Sequence, residues 1–556
     1  MISGSEAWLH TVLLGAALLL PWMFLAVLPF VRESARGLLL PLAPVPALLA
    51  VLLPEGTALA LPLFPAGFAF GVDSMATVFL FPATLIWALS GWMAVRLRPD
   101  QACSPTFGVL WLLALAGNIA LILAQDMLAL YAGIALMTFA ALGLVVFERT
   151  PQALGAGRLY LAMMLVAELA LFVAVAALVA AAEGDTRFDA VGGVLSGPIL
   201  VLLALAFGLK LGVLGLHTWL PRAHPVAPVA ASAVLSGVMI KAGVLGWLRL
   251  VEPAGDGFAD VVVPLLVGLG LAGALYAVLR GLATGDPKVL LGWSSVSQMG
   301  LVTVLAGLAL QSGEAGDAAV AAIAVFVMHH GLAKAALFLG VGLLGAGWGR
   351  RRLWVWGGLW LPALALAAAP GTSGVLAKSA LDLAVAAAGL GGGSMVLFFL
   401  TGIASALLML RLLWLTWYMP VPDEGEKSAA RSYPVLPWIL MLGGVLVLPW
   451  IAFPGTPMPA AAASVSGHSG ALVPLAVALL LAFFAWRWPT AVRVVAELGR
   501  RPTGITLHRA AGTGWFPGAR RWANWERHLH AWRLIGRAVV LVTLALGAAI
   551  GYGLAF

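Results

Sequence analysis

Ten side chains in this sequence have the chemistry to pick up and release protons from inside otherwise apolar segments. They are Glu168, Lys210, His217, His224, Lys241, His329, His330, Lys334, Lys378 and Asp382. The densest part runs from Phe207 to Arg249, where two apolar segments each carry one lysine, Lys210 and Lys241, and a polar turn between them holds His217 and His224. A charged side chain at the centre of a bilayer costs roughly 2.5–3.5 kcal/mol on insertion scales, and such residues are retained where they face protein or water and perform a function. Each also has a plainer explanation. Asp382 follows Lys378 by four positions, so on a helix the two share a face and neutralise one another, and a lone buried histidine is more often a hydrogen-bonded core residue than a carrier. Accumulated in one chain, these groups point to a proton relay.

The segments that position them are long and greasy. Of 556 residues, 62% are hydrophobic and 10% charged, against about 25% charged in a soluble domain, and the mean hydropathy is +1.04. The fold class expected is an all-α polytopic membrane protein. Apolar runs long enough for a bilayer core of ~30 Å occur near 8–31, 38–53, 74–95, 105–124, 127–147, 159–182, 197–220, 229–250, 260–280, 288–311, 318–346, 355–388, 394–417, 434–452, 470–486 and 534–555, which predicts sixteen helices. The first run is longer than a signal peptide's apolar core and reads as a retained helix. Alternate loops differ in charge: one set holds Arg32, Arg36, Arg96, Arg98, Arg149, Arg158, Arg222, Arg280, Lys288 and Arg350 to Arg352, the other Glu55, Asp126, Glu183, Asp185, Glu252, Asp256, Glu314 and Asp317. An excess of arginine marks the cytoplasmic side, so both termini are expected outside, in a bacterial or archaeal inner membrane. A basic, tryptophan-rich segment, 487–533, reads as an amphipathic cytoplasmic piece or a surface for a partner subunit.

The net charge of +8 serves topology, since no basic-aromatic nucleic-acid module is present. One cysteine, Cys103, excludes a disulfide framework and a cysteine-ligated cluster. No nucleotide-binding glycine loop occurs in context. No cofactor or metal is expected in this chain, and redox cofactors, if any, belong to partner subunits.

Two lysines stand beside helix breakers. Pro370-Gly-Thr-Ser-Gly374 precedes Lys378, and Gly208, Gly212 and Gly215 surround Lys210. Broken helices at matching places in two halves mark transporters built from inverted repeats. Two five-helix repeats follow, 105–250 and 260–417, preceded by three helices in 1–104 and followed by the C-terminal part, 418–556. Aligned by order, the span of Lys210 matches that of Lys378.

These residues carry a family resemblance. Lys210 followed by LHTWLPRAHPVAPVAASAVLSGVMIKAG, Asp286-Pro-Lys288 with VLLGWSSVSQMG, His330 to Lys334 with AALFLGVGLL, and PGTSGVLAKSAL around Lys378 resemble the antiporter-like proton-pumping subunits of complex I, of formate-hydrogenlyase-type membrane hydrogenases and of Mrp sodium/proton antiporters, with the chain-M-like and hydrogenase-4-like branch the most similar. The resemblance implies that Lys210 is the carrier of the first half-channel, loaded from the cytoplasm, that Lys241 and His330 relay along the membrane's midplane, and that Lys378 hands the proton outside. It implies partner subunits in a multisubunit complex, with protons, or sodium, as the moving ion. In the family the fifth span carries a glutamate paired with the seventh-span lysine; here Ala135 stands in its place. Either Glu168 has become the partner of Lys210, or the subunit serves as a passive conduit or scaffold. Besides a redox-driven pump, an Mrp-type antiporter subunit, the proton-conducting partner of an inorganic-carbon uptake protein and a non-pumping structural subunit fit the sequence.

Overall fold

The computed structural model describes residues 4–61, 67–191, 193–251, 259–346, 352–390, 393–420, 435–453 and 456–487. Its helices are α1 (Gly4–Val27), α2 (Glu33–Leu42), α3 (Val45–Ala50), α4 (Ser74–Leu97), α5 (Pro99–Ala102), α6 (Pro105–Leu123), α7 (Met127–Val145), α8 (Pro151–Ala181), α9 (Gly197–Leu211) and α10 (Leu220–Val226). They continue with α11 (Val229–Gly237), α12 (Ala242–Leu250), α13 (Ala259–Leu282), α14 (Pro287–Leu308), α15 (Glu314–Gly345), α16 (Arg352–Leu366), α17 (Ser373–Ala387), α18 (Gly393–Trp417), α19 (Val435–Ile451), α20 (Pro457–Ala463) and α21 (Val465–Arg487). Several starts are written into the sequence as a capping residue followed by proline. Ser104-Pro105, Thr150-Pro151 and Asp286-Pro287 each place an oxygen on the amide three residues on, while the proline fills the first helical position, where its missing N–H costs nothing.

Eleven helices among the described residues are long and apolar enough to cross a membrane. The other five expected runs are not single uninterrupted helices of that length among the described residues. The run 38–53 contains Pro41, Pro44 and Pro46 and folds as two short helices, α2 and α3. The run 197–220 stops at Leu211, where Gly212 takes φ +72° and caps the helix. The run 355–388 breaks between α16 and α17. The run 434–452 gives a helix of 17 residues, and the run 534–555, with most of the basic segment 487–533, lies outside the described residues. The chain is also not purely helical. Two strands, β1 (Ala58–Leu61) and β2 (Phe68–Gly71), pair antiparallel with Ala58 opposite Gly71. They are pinned by Asp126, which accepts from the amide of Ala69 at 2.5 Å. On this face, which otherwise gathers the acidic loops, lie Arg187 and Arg249 as well. Each is paired with a carboxylate, Asp189 and Asp73 respectively, so the charge separation between the two faces is less clean than the loops alone suggest.

The bundle is graded from a sealed centre to a lipid-like rim. In α14, α15 and the segment Val229–Leu250, 94% of the apolar window is buried, against 28% in the first span and 17% in the last. The buried lysines and the histidine pair of the central helices therefore sit in the best-shielded part. Close approach there depends on glycine. A methyl group on Gly331 of α15 would lie 2.7 Å from the carbonyl oxygen of Gly237 in α11, a contact no Cβ tolerates. Gly331→Ala is expected to cost about 1–3 kcal/mol through overpacking, read as a lowered Tm in detergent with the wild-type chain as reference.

Candidate functional site

The charged groups fall into three stations. In the first, Lys210 near the end of α9 donates from Nζ to Glu168 Oε1 of α8 at 2.7 Å and to Thr138 Oγ1 of α7 at 3.1 Å. Both charged side chains are 4% exposed. Thr138 in turn donates to the Ile134 carbonyl at 2.7 Å, and the Tyr160 hydroxyl donates to the Thr138 carbonyl at 3.2 Å. The other Glu168 oxygen, Oε2, is buried without a hydrogen-bond partner among the described residues, so half of this carboxylate has its acceptor capacity unused. Asp126 and Glu148, the acids at the two ends of α7, are engaged elsewhere: Asp126 caps α7 through the Ala129 amide at 2.8 Å, and Glu148 accepts from Gln101 at 2.5 Å. Neither is an alternative partner for Lys210.

The second station fills the centre. Lys241 lies in a short 3-10 turn, Met239–Lys241, between α11 and α12, and its Nζ donates to the Ser236 carbonyl at 2.6 Å. The span is interrupted here because Val238, at φ −130° and ψ −60°, leaves the helical region. Lys334 donates to the Leu291 carbonyl at 2.9 Å, and Ser236 and Ser295 share a hydrogen bond of 2.8 Å between α11 and α14. His330 is wholly buried, and neither of its ring nitrogens has a partner among the described residues. His329 shares a 2.8 Å hydrogen bond with Ser373 at the start of α17. His224, also enclosed with both ring nitrogens unpartnered, lies over Phe338 with ring centroids 4.5 Å apart. His217 accepts from the Gly215 amide at 3.2 Å and packs between Tyr276 and Trp293. Lys241 and Lys334 are near enough to His224 and His330 to act on them electrostatically. Buried polar atoms without partners are rare in folded proteins and mark sites of water or of chemistry.

The third station is the break after α16. Ala368 at φ +54° and Gly371 at φ +76° turn the chain, and Lys378, one and a half turns into α17, pairs with Asp382 at 2.5 Å. This pair is more open than the first, with side chains 25% and 41% exposed. Lys210 precedes its break and Lys378 follows its own, so the two match by span and not by position. On the face opposite the hairpin, a crevice of about 540 Å³ is lined by Gln152, Thr218, Arg222, Arg280, Thr284 and Trp293. It opens beside His217 and His224 through their chain neighbours Thr218 and Pro225.

The ten ionisable residues therefore do not form one contiguous hydrogen-bonded row. The structure joins Lys210 to Glu168 and Lys378 to Asp382 directly, and spaces the rest. What counting charges missed are the neutral groups between them: Thr138, Tyr160, Ser236, Ser295 and Ser373. Thr138, three residues after Ala135, lies in a helix with no charge inside it, so a scan for charges passes over it. Among the described residues no group of three or more His, Cys, Asp or Glu side chains is placed to hold a metal.

Residues 124–389 match the family described as NADH:quinone oxidoreductase/Mrp antiporter, TM. Hydrogenase-4 component B of Escherichia coli is 37% identical over 160 residues, 27% of this chain and 23% of that protein. NADH-quinone oxidoreductase subunit M of Pseudomonas aeruginosa is 35% identical over 167 residues, 29% of this chain and 32% of that one. The matches thus span less than a third of these relatives' length. Among solved structures, the Mrp complex from Dietzia sp. DQ12-45-1b contains a chain of the same fold, with a TM-score of 0.72 at 23% identity, covering 98% of this chain and 63% of that one.

Proposed function

We propose that this chain, which is similar to antiporter-like membrane subunits over residues 124–389, moves protons across the membrane as one subunit of a larger complex. Its counter-charge to Lys210 is supplied by Glu168. The observation that carries this reading is the Lys210–Glu168 ion pair, enclosed on both sides at membrane depth. A pair of this kind is a weak device for stability, because taking two charges out of water costs as much as their attraction restores. As a carrier it is apt: desolvation disfavours a lysine ammonium, a nearby carboxylate favours it, and moving the carboxylate changes the lysine's hold on its proton.

In the proposed path protons enter from the cytoplasm at the crevice near Arg222 and Arg280. They load Lys210, cross by His224, Lys334, Lys241 and the His329–His330 pair, and leave by Lys378 and Asp382. Waters at the unpartnered nitrogens of His224 and His330 fill the gaps between stations. Two repeats, α6–α12 and α13–α18, place this path symmetrically. Supporting them, the long third helices, α8 and α15, have 31 and 32 residues and each precedes a broken span. In both repeats the first two helices also meet at paired glycines, Gly117 with Gly133 and Gly270 with Gly300.

Driving energy comes from partner subunits, with redox chemistry as the first reading. Purification of the full chain from its native membrane in mild detergent tests it: iron–sulfur or flavin proteins should co-purify, and reconstituted vesicles should develop a pH gradient on addition of reductant. Co-purification of small antiporter subunits, with a gradient that requires sodium, would replace the redox drive by ion exchange. A chain recovered alone that conducts no protons would overturn the proposal.

A further inference from the structure

On the hairpin face, above Lys241, the start of α4, the end of α6 and the end of α12 converge. The Arg249 guanidinium at the end of α12 grips Asp73, Nη1 to Oδ2 at 2.5 Å and Nη2 to Oδ1 at 2.9 Å. Gln125, just past α6, donates to the same carboxylate at 3.0 Å, and the Phe188 ring lies 5.4 Å from the guanidinium. The pair is asymmetric in burial, with the Arg249 side chain 9% exposed and that of Asp73 32%. Burial alone would raise the Asp73 carboxyl, but the hydrogen bonds and charge of Arg249, with the Ala76 amide and Gln125, hold it below the usual carboxylate range.

Beneath this cap lies a cavity of about 10 Å³ among Phe79, Ala83, Asn118, Ile122, Lys241 and Leu245, about the room one water needs. Its walls descend from the cap itself. Leu245 is one helical turn below Arg249, Ile122 is three residues before Gln125, and Phe79 is six residues after Asp73. Lys241 and the Asn118 amide supply its polar groups. Lys241, Leu245 and Arg249 are spaced by four residues, so the lysine, the one-water pocket and the ion pair follow one another along one side of α12 and the turn before it. The pair is drawn from two elements, so parting it requires no helix to unfold.

We infer that Asp73 and Arg249 form the closed gate of a separate branch leading from Lys241 to the hairpin face, distinct from the path that ends at Lys378. The gate rests on the transport reading only in making Lys241 a proton carrier, and its first test reads access alone. In a Cys103→Ser background, Leu245→Cys should resist a membrane-impermeant maleimide added at the hairpin face. Adding Arg249→Gln, which leaves Asp73 free to cap α4, should speed labelling at least about tenfold, since truncating a hydrogen-bonded charge pair weakens it by that much or more. Asp73→Asn, which retains a capping oxygen, should do the same, with gel filtration confirming that both variants fold. In sealed vesicles under an imposed pH gradient, Arg249→Gln should leak protons, and Lys241→Met should abolish the leak. Labelling that stays slow in both folded variants overturns the gate. Access without leak, or a leak that survives Lys241→Met, overturns the branch. Failure of the transport reading alone would leave the labelling result standing.

Discussion

Glu168→Gln is expected to reduce coupled proton transport by at least about tenfold, on the scale of losing a positioned acid–base group, while leaving the chain folded. Glutamine keeps the shape and one carbonyl oxygen within reach of Lys210 Nζ, now 2.7 Å from Oε1, but it removes the charge that makes an ammonium tolerable there. Truncation to alanine would be harsher, because it adds a cavity and a lost acceptor oxygen to the lost charge. Glutamine therefore separates function from stability. The readout is quenching of a pH-sensitive dye in reconstituted vesicles of the intact complex, with Tm as the control for folding. Unchanged coupled transport in Glu168→Gln would remove the carboxylate from the mechanism and leave the scaffold reading in possession. A complementary variant restores a glutamate at Ala135. It lies one turn before Thr138, whose hydroxyl already touches Lys210 at 3.1 Å, so a carboxylate there has the reach to recover part of the lost transport.

How far the sequence revealed this site depended on the kind of residue. An ionisable side chain in an apolar run is conspicuous, and Glu168 was the one acid at that depth before Asp382, so its pairing with Lys210 was legible without coordinates. Thr138 was not, because a hydroxyl is inexpensive in a helix that can accept it, as the Ile134 carbonyl does. Breaks followed the same division. Pro370 and Gly371 announced the interruption before Lys378, although it begins earlier, at Ala368. The irregular turn at Val238 had only Gly237 as a sign, and that glycine answers to the close approach of Gly331 on a helix some ninety residues away. Pro44 and Pro46 divide the second run at the start of α3, while Pro41 sits inside α2. The hairpin had no alternating pattern to reveal it; it depends on Asp126 and Gln125, which approach from another part of the chain. Local chemistry was readable; among long-range contacts only the pairing of Glu168 with Lys210 was, because charge singled out both partners.

Lys241→Met supplies the second large effect, and it carries an opposite sign for stability. The lysine is 3% exposed and its Nζ has one hydrogen bond, to the Ser236 carbonyl at 2.6 Å. Losing that bond leaves an acceptor unsatisfied, at a cost of about 1–3 kcal/mol. Removing the charge from membrane depth restores roughly 2.5–3.5 kcal/mol, and methionine fills similar space with an apolar chain. The two nearly cancel, with the balance tipped toward a chain at least as stable as the parent. Transport should nonetheless fall at least about tenfold, because no neutral side chain at 241 takes up and releases a proton. A lysine kept for architecture would behave the other way, with Tm dropping by several degrees and transport surviving. Measuring both quantities on one preparation decides between the two, since a proton carrier burdens the fold that holds it and a structural residue supports it.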